Sequence, residues 1–334
     1  MKNLFTTSKL KVKVPENINE DTSQRFDISK KEEAKKYYDE NGYVIFNSLI
    51  DKEHCDLIRS YWETNIKNYK GKIYRQTGGK AEINEFNENN WVMNPVLNIQ
   101  SLNSKKFKNF KNFIEENIFN NHSLSSILKN FFNQKPKIIQ SMYFEGNCAT
   151  KEHQDTYFLD SNHIGTLTAA WISLEEIKAD AGRFFIINGS HKIDINENKF
   201  YNNILSNHDD YIQDIISTSH SLGLEIKAPY LDKGDVLFWN SKTIHGSLDS
   251  QSKTNSRSSI TLHAIPENDK FLHWHKDFIE TPVDDLGNVL IYRRKNQNIL
   301  KNRLIFFIES NFPKIFYWIK NNYIKIIHKQ SHYN

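Results

Sequence analysis

The sequence holds only two cysteines, Cys55 and Cys148, far apart in a chain of 334 residues. That excludes both a disulfide framework and a cysteine-based zinc cluster, and it fits a reducing, cytoplasmic setting. Long apolar runs are also missing. The longest uncharged ones, Leu304–Ile308 and Ile315–Ile319, fall far short of the roughly 18–20 residues that cross a bilayer. The first residues, Met1 to Ser8 and then Lys alternating with Leu and Val, offer no apolar stretch for a signal peptide, so export is not expected. Charge of one sign is scarce too, with 44 Lys and Arg against 40 Asp and Glu and a formal net of +4. The excess is local: residues 301–334 carry six basic residues against one acidic residue, Glu309, and the rest of the chain is nearly neutral. A nearly neutral body argues against nucleic acid as a partner, because a duplex needs basic side chains spread along a groove or face.

What is present is a globular composition, 38% hydrophobic, 13% aromatic and 25% charged. Residues 1–29 are polar without sustained periodicity and read as a loosely packed arm. A helical pattern from Ser29 runs to Glu40 and Asn41, where Gly42 supplies a stop, and Tyr43–Phe46 reads as a buried strand. A second helix is expected from Asp51, its candidate N-cap, to about Asn65, and two more near 105–118 and 122–132. Residues 70–100 look like an irregular insertion. After Pro136 come short β-rich runs at 138–144, 165–174, 183–188, 224–228, 235–239 and 258–265, separated by Gly, Asn, Asp and Ser. Helices followed by spaced short strands predict a mainly β architecture with flanking helices, an antiparallel barrel or jelly roll. The domain reading is an arm over 1–29, one main domain over 30–295 and a basic helical tail over 296–334.

The chemistry-bearing pattern begins at His153 and Asp155, which share a face if the segment is extended. His245, which follows the strand-like Leu237–Trp239, offers a third ligand. Two imidazoles and one carboxylate on one face of an octahedron leave three open positions, the geometry of non-heme Fe(II) oxygenases. Twelve residues later Arg257 opens another β-rich run, where a guanidinium suits an anionic co-substrate carrying a distal carboxylate. His-x-Asp alone is a weak signal; its context gives it weight.

That context resembles the phytanoyl-CoA dioxygenase family of Fe(II)- and 2-oxoglutarate-dependent oxygenases. The resemblance rests on an ordered set: Glu40–Leu49; His153–Asp155; Ala170–Leu174; Gly182–Phe185; Asn188–Lys192; Lys233–Phe238; His245–Ser247; and Arg257. It implies a double-stranded β-helix (a jelly roll, cupin-like) with His153, Asp155 and His245 as iron ligands. It also implies that Arg257 binds the distal carboxylate of 2-oxoglutarate, assisted by the Ser247 hydroxyl, with Gln140 and Trp171 lining that pocket. The implied reaction consumes O2 and 2-oxoglutarate, releases succinate and CO2, and hydroxylates a small molecule. The carboxylate of Asp155 favours hydroxylation over halogenation, while desaturation, ring closure and epimerisation share the same oxidant. The chain departs from the family pattern at Asn188 and Arg183, which stand where prolines are usual, so substrate shape is more affected than catalysis.

Other residues carry competing readings. Tyr143 and Tyr157 are candidates to face the substrate, although aromatic residues in strands are commonly core. Asn240 is a candidate to hold a substrate hydroxyl, or else forms a turn. Gln154 points to the opposite face from the ligands, and His191 is expected to stabilise a loop. His273, His275, His163, His208, His220 and His263 read as partly exposed loop residues, and His54 as a helix residue. Residues 193–220 read as a cover over the site. In the tail, Asn311 and Pro313 are expected to open an amphipathic helix, with Ile315, Trp318, Ile319, Tyr323, Ile326 and Ile327 on one side and Lys314, Lys325 and Lys329 around the other. That helix docks on the barrel or a second subunit, or lies peripherally on an anionic membrane. Two rival functions stay open: a metal-holding jelly roll without turnover, and a peripheral membrane or scaffold protein that works through its tail.

Overall fold

A computed structural model describes residues 1–146, 148–193, 195, 204–273, 277–279 and 283–330, with backbone alone at 204–207, 277–279, 321 and 323–330. The β-rich runs close into a double-stranded β-helix. Its larger sheet has the order Val283–Asp285, Leu290–Tyr292, Pro136–Phe144, Ser259–Pro266, Thr168–Ser173, Val236–Asn240, Tyr43–Phe46 and Arg25–Phe26, with Val96–Leu97 also paired to Pro136–Phe144. The smaller sheet runs Ile226–Lys227, Phe184–Ile187, His245–Ser247 and Thr150–His153. Strand alternation divides the larger sheet into two surfaces. Val236, Phe238, Ala170 and Ile172 face outward into a core shared with the helices, and Leu237, Trp239, Ala169 and Trp171 face inward toward the smaller sheet.

The outer surface is covered by helices Lys31–Asn41, Lys52–Tyr61, Lys108–Ile114 and His122–Phe132. The first stops where expected: Gly42 adopts φ 78° and its N–H donates to the Tyr38 carbonyl. Any Cβ at Gly42 would collide with His191 and Thr243, so the site requires glycine on steric as well as conformational grounds. His191 bonds the Asp39 carbonyl through Nε2 at 3.0 Å and so ties the end of this helix to its loop. Asp51 stands at the N-cap position of the second helix without a side-chain cap bond.

Three expectations are corrected. The N-terminal arm is not loose: Lys2–Phe5 and Lys11–Val14 form a hairpin whose Val12 and Val14 are fully buried against Phe185, Ala228 and Leu248. Arg183, far from shaping a substrate loop, is fully buried and donates to the Pro15 carbonyl at 2.7 Å and to the Ile177 carbonyl, so it fastens that arm. At the other end, Asn311 closes helix Leu300–Asn311 by bonding the Phe307 carbonyl and does not cap helix Pro313–Gln330. Among the described residues no helix is long and apolar enough to cross a membrane.

The seam between the helices and the larger sheet is aromatic. Trp62, 1% exposed, stacks on Tyr143 with ring centroids 4.0 Å apart and also touches Phe110. Removing a buried indole costs both transfer energy and a cavity, so Trp62→Ala is expected to lower unfolding stability by about 3–5 kcal/mol. Urea denaturation measures this; a loss under about 1 kcal/mol would show that the helical layer does not brace the sheet.

Candidate metal and co-substrate site

Register in the smaller sheet builds the site. His153 ends one strand and pairs directly with His245, the first residue of its neighbour, so the imidazoles lie side by side with centroids 4.3 Å apart. The strand stops at His153, and Asp155 opens a short 3-10 turn that brings its carboxylate back to the two rings. Asp155 Oδ1 lies 3.8 Å from His153 Nε2 and 3.6 Å from His245 Nε2. One ligand atom from each residue falls within 4.8 Å of the others.

The hydrogen bonds around these groups fit a divalent cation. His153 Nδ1 bonds the Lys151 carbonyl at 2.8 Å, and His245 Nδ1 bonds the Thr243 carbonyl at 2.9 Å. Only a protonated Nδ1 can donate to a carbonyl, so each neutral ring presents the Nε2 lone pair inward. Burial pushes His245 down to about 4, so it is neutral at pH 7. Burial opposes ionisation of Asp155, yet the field of His245, His263 and His153 outweighs it and holds the carboxyl below the usual carboxylate range. Its Oδ2 accepts the Trp239 indole N–H at 2.8 Å, which leaves Oδ1 free.

The three groups open into a cavity of about 830 Å³. Arg257, 4% exposed, lies between the Phe144 and Trp171 rings at 5.2 and 5.5 Å, and its Nη1 donates to the Gly182 carbonyl at 3.0 Å. Burial pushes its guanidinium down to about 9, which still leaves it cationic at neutral pH. Its buried Nε has no hydrogen-bond partner among the described residues, which leaves a donor able to take an anion. Gln140, Trp171 and Ser247 line the same cavity, and Ser247 Oγ donates to Thr150 Oγ1 at 3.0 Å.

Other candidates lie elsewhere. Tyr143 faces the helical layer because its parity along Pro136–Phe144 sends it outward, away from the cavity. Tyr157 is buried in a separate apolar cluster, stacked on Tyr211 at 3.6 Å, and it is the next residue, Phe158, that reaches the cavity. Asn240 forms a turn: its amide donates to the Gly165 carbonyl and its carbonyl accepts from the Lys242 N–H. Gln154 pins the ligand turn by donating to the carbonyls of Lys242 and Ile193.

Three histidines read as loop residues do reach the cavity. His263 is a buried inward residue of strand Ser259–Pro266, with Nε2 3.4 Å from Asp155 Oδ2. Its parity with Arg257 in the expected strand was the signal available for it. His273 lies on strand Phe271–His273 and accepts from Arg294 Nη1 at 2.9 Å, and burial pushes its imidazole down to about 3. His208 comes from helix Ile204–Ser221, which also places Ile212 on the cavity wall; the remainder of the expected cover, residues 194 and 196–203, lies outside the described residues, as does His275.

Because Trp239 holds Asp155 from behind, Trp239→Phe keeps the packing and removes only the N–H. Outer-sphere hydrogen bonds of this kind are worth about 10–100-fold in metal affinity. A competition titration with a chelator and Mn(II) is expected to show a loss in that range, and unchanged affinity would mean that the carboxylate needs no orienting partner.

The comparisons with known proteins agree with this geometry. The phytanoyl-CoA dioxygenase (PhyH) family matches residues 38–259. "Phytanoyl-CoA dioxygenase 1" of Oryza sativa subsp. japonica is 23% identical over 270 residues, covering 70% of this chain and 88% of that protein. "Phytanoyl-CoA dioxygenase domain-containing protein 1 homolog" of Caenorhabditis briggsae is 24% identical over 159 residues, 46% of this chain, so the match spans about half (48%) of that relative. In fold, the chain is similar to an α-ketoglutarate-dependent carbocyclase from nogalamycin biosynthesis, with a TM-score of 0.58, 16% identity, and coverage of 78% of this chain and 96% of that one. An epimerase from the same biosynthesis gives 0.54 and 13%, covering 80% and 99%. With the family pattern running through the ligand turn, His245 and Arg257, the chain belongs to the phytanoyl-CoA dioxygenase family.

Proposed function

We propose that this protein is an Fe(II)- and 2-oxoglutarate-dependent dioxygenase that hydroxylates a small molecule and releases succinate and CO2. The observation that carries the reading is the pair of backbone-locked imidazoles beside a free carboxylate oxygen, facing a buried guanidinium across one cavity. Bound iron would supply the centre at which 2-oxoglutarate and dioxygen react. The protein's part is holding and exclusion. His153, Asp155 and His245 would grip the ion from one side and leave its cavity side open. Arg257 would take the distal carboxylate of 2-oxoglutarate through a charge-assisted pair, strengthened because Phe144 and Trp171 keep water from it. Trp239 and Phe184 pack against His245 and hold its ring plane. A carboxylate in the third ligand position supports hydroxylation as the outcome. The cavity wall also favours an anionic substrate: Lys151, Arg257, Arg294, Lys295 and Lys320 line it, and Asp155 is its one carboxylate among the described residues.

Succinate formation from 2-oxoglutarate with added Fe(II), screened over candidate substrates, tests the reading. His245→Ala is expected to abolish it, and persistence of turnover in that variant would sink the ligand assignment. Arg257→Met removes the carboxylate partner and is expected to raise the KM for 2-oxoglutarate by about 10–100-fold, the weight of a charge-assisted hydrogen-bonded pair. An unchanged KM would move the co-substrate elsewhere in the cavity.

A further inference from the structure

The two C-terminal helices turn a continuous apolar face outward. Leu300, Leu304 and Phe307 follow helical spacing on the first; Phe312, Ile315 and Trp318 continue the face onto the second, and all six are more than half exposed. Scattered exposed apolar residues are ordinary, but a contiguous face of this kind marks a binding surface. The exposed charges beside it, among the described residues, have one sign: Lys301, Arg303, Lys314 and Lys320. The one acidic residue, Glu309, is turned inward, where it accepts from Tyr74 at 2.9 Å and Tyr317 at 2.6 Å. An apolar face with a Trp and a fringe of cations complements the acyl and headgroup layers of an anionic bilayer. A second copy of the same face would oppose like charges.

This pair of helices is fixed relative to the catalytic cavity. Glu309 anchors it to Tyr74, Phe306 packs edge-on against the Tyr74 ring, and Lys72 donates to the Ser310 carbonyl. The loop that follows Tyr74, Gln76–Gly79, lines the cavity together with Lys320 of the second helix and the adjoining Lys295. Lys295 adopts φ 55°, an uncommon conformation for a side chain that is not glycine, with its ammonium 4.0 Å from the Tyr74 ring centroid. The cationic end of the cavity therefore adjoins the apolar face.

We propose that the helical segment Leu300–Lys320 seats the protein on an anionic lipid surface and so brings the cationic end of the cavity to the headgroups, where an anionic amphiphile enters. That the amphiphile is then oxidised rests on the dioxygenase reading; docking and entry do not. The test uses the full chain and vesicles of phosphatidylcholine alone or mixed with phosphatidylglycerol. Co-sedimentation is expected with the mixed vesicles only, falling as salt rises. Leu304→Glu/Trp318→Glu is expected to weaken it at least about tenfold, and Lys301→Gln/Arg303→Gln/Lys314→Gln by roughly fivefold for each charge removed. Circular dichroism and Mn(II) binding confirm that both variants remain folded. Equal sedimentation with neutral and mixed vesicles, or no effect of the apolar variant, overturns docking. So does a dimer in analytical ultracentrifugation that this variant dissociates without any vesicle binding, since the face then belongs to a second copy. For entry, dodecyl phosphate is expected to bind the wild type about tenfold more tightly than Lys295→Gln, as for one charge-assisted contact; equal affinities overturn that half. A protein that passes these tests yet forms no succinate refutes the dioxygenase reading alone.

Discussion

The site depends on one cross-strand pair, His153 opposite His245 in the smaller sheet. Each imidazole is held by the carbonyl two residues before it on its own chain segment, Lys151 and Thr243, so the same local geometry is used twice. A slip of one residue in this pairing would send one ring to the opposite face of the sheet and dismantle the cluster. The short turn at Asp155 is the other constraint, because it ends the strand at His153 and brings the carboxylate up to both rings. Gln154, buried between the two ligands, fastens that turn to the loop before His245.

The larger sheet supplies what surrounds the ligands. Trp239 and His263, from two different strands, both approach Asp155 Oδ2, and Trp171 and Phe144 flank Arg257. Inward side chains can serve the cavity because the outward ones are satisfied by a thick helical layer, with Trp62, Tyr143 and Phe110 at its seam. Burying a guanidinium and a carboxylate in one cavity is costly unless each finds partners. Asp155 has them in the protein. Arg257 is partly satisfied by Gly182 at Nη1, and its Nε has no partner among the described residues.

Much of this was legible in the sequence for local reasons. The helices over 31–41 and 122–132 announced themselves by periodicity and by Gly42, and the strands by β-branched runs between turn residues. His153, Asp155, His245 and Arg257 stood out through their order and spacing. Misreadings arose where side-chain direction mattered more than residue type. Tyr143 and Tyr157 have the chemistry of substrate contacts, but parity and the turn after Asp155 turn them into apolar clusters. Asn240 obeys its turn propensity instead of reaching for a ligand. His263 stands isolated in the sequence, with its parity to Arg257 as the one pointer inward; the pairing of its strand with Thr168–Ser173 and Pro136–Phe144 shows it to be central. The N-terminal hairpin was missed because its alternation, Lys11–Val14, is only four residues long.

By itself the sequence determined the main helices and strands, a jelly-roll or barrel class and the identity of the groups able to hold a metal and an anionic acid, since these follow from short-range pattern and intrinsic chemistry; the double-stranded β-helix came with the family resemblance. Only the tertiary structure decided which lone pairs face each other, which aromatic rings wall the cavity, and that the cationic rim at Lys295 and Lys320 adjoins the exposed face of the C-terminal helices. Those are relations between segments far apart in the chain, as between Tyr74 and Glu309, 235 positions apart, and they are fixed by strand register and packing, which no local stretch of chain encodes.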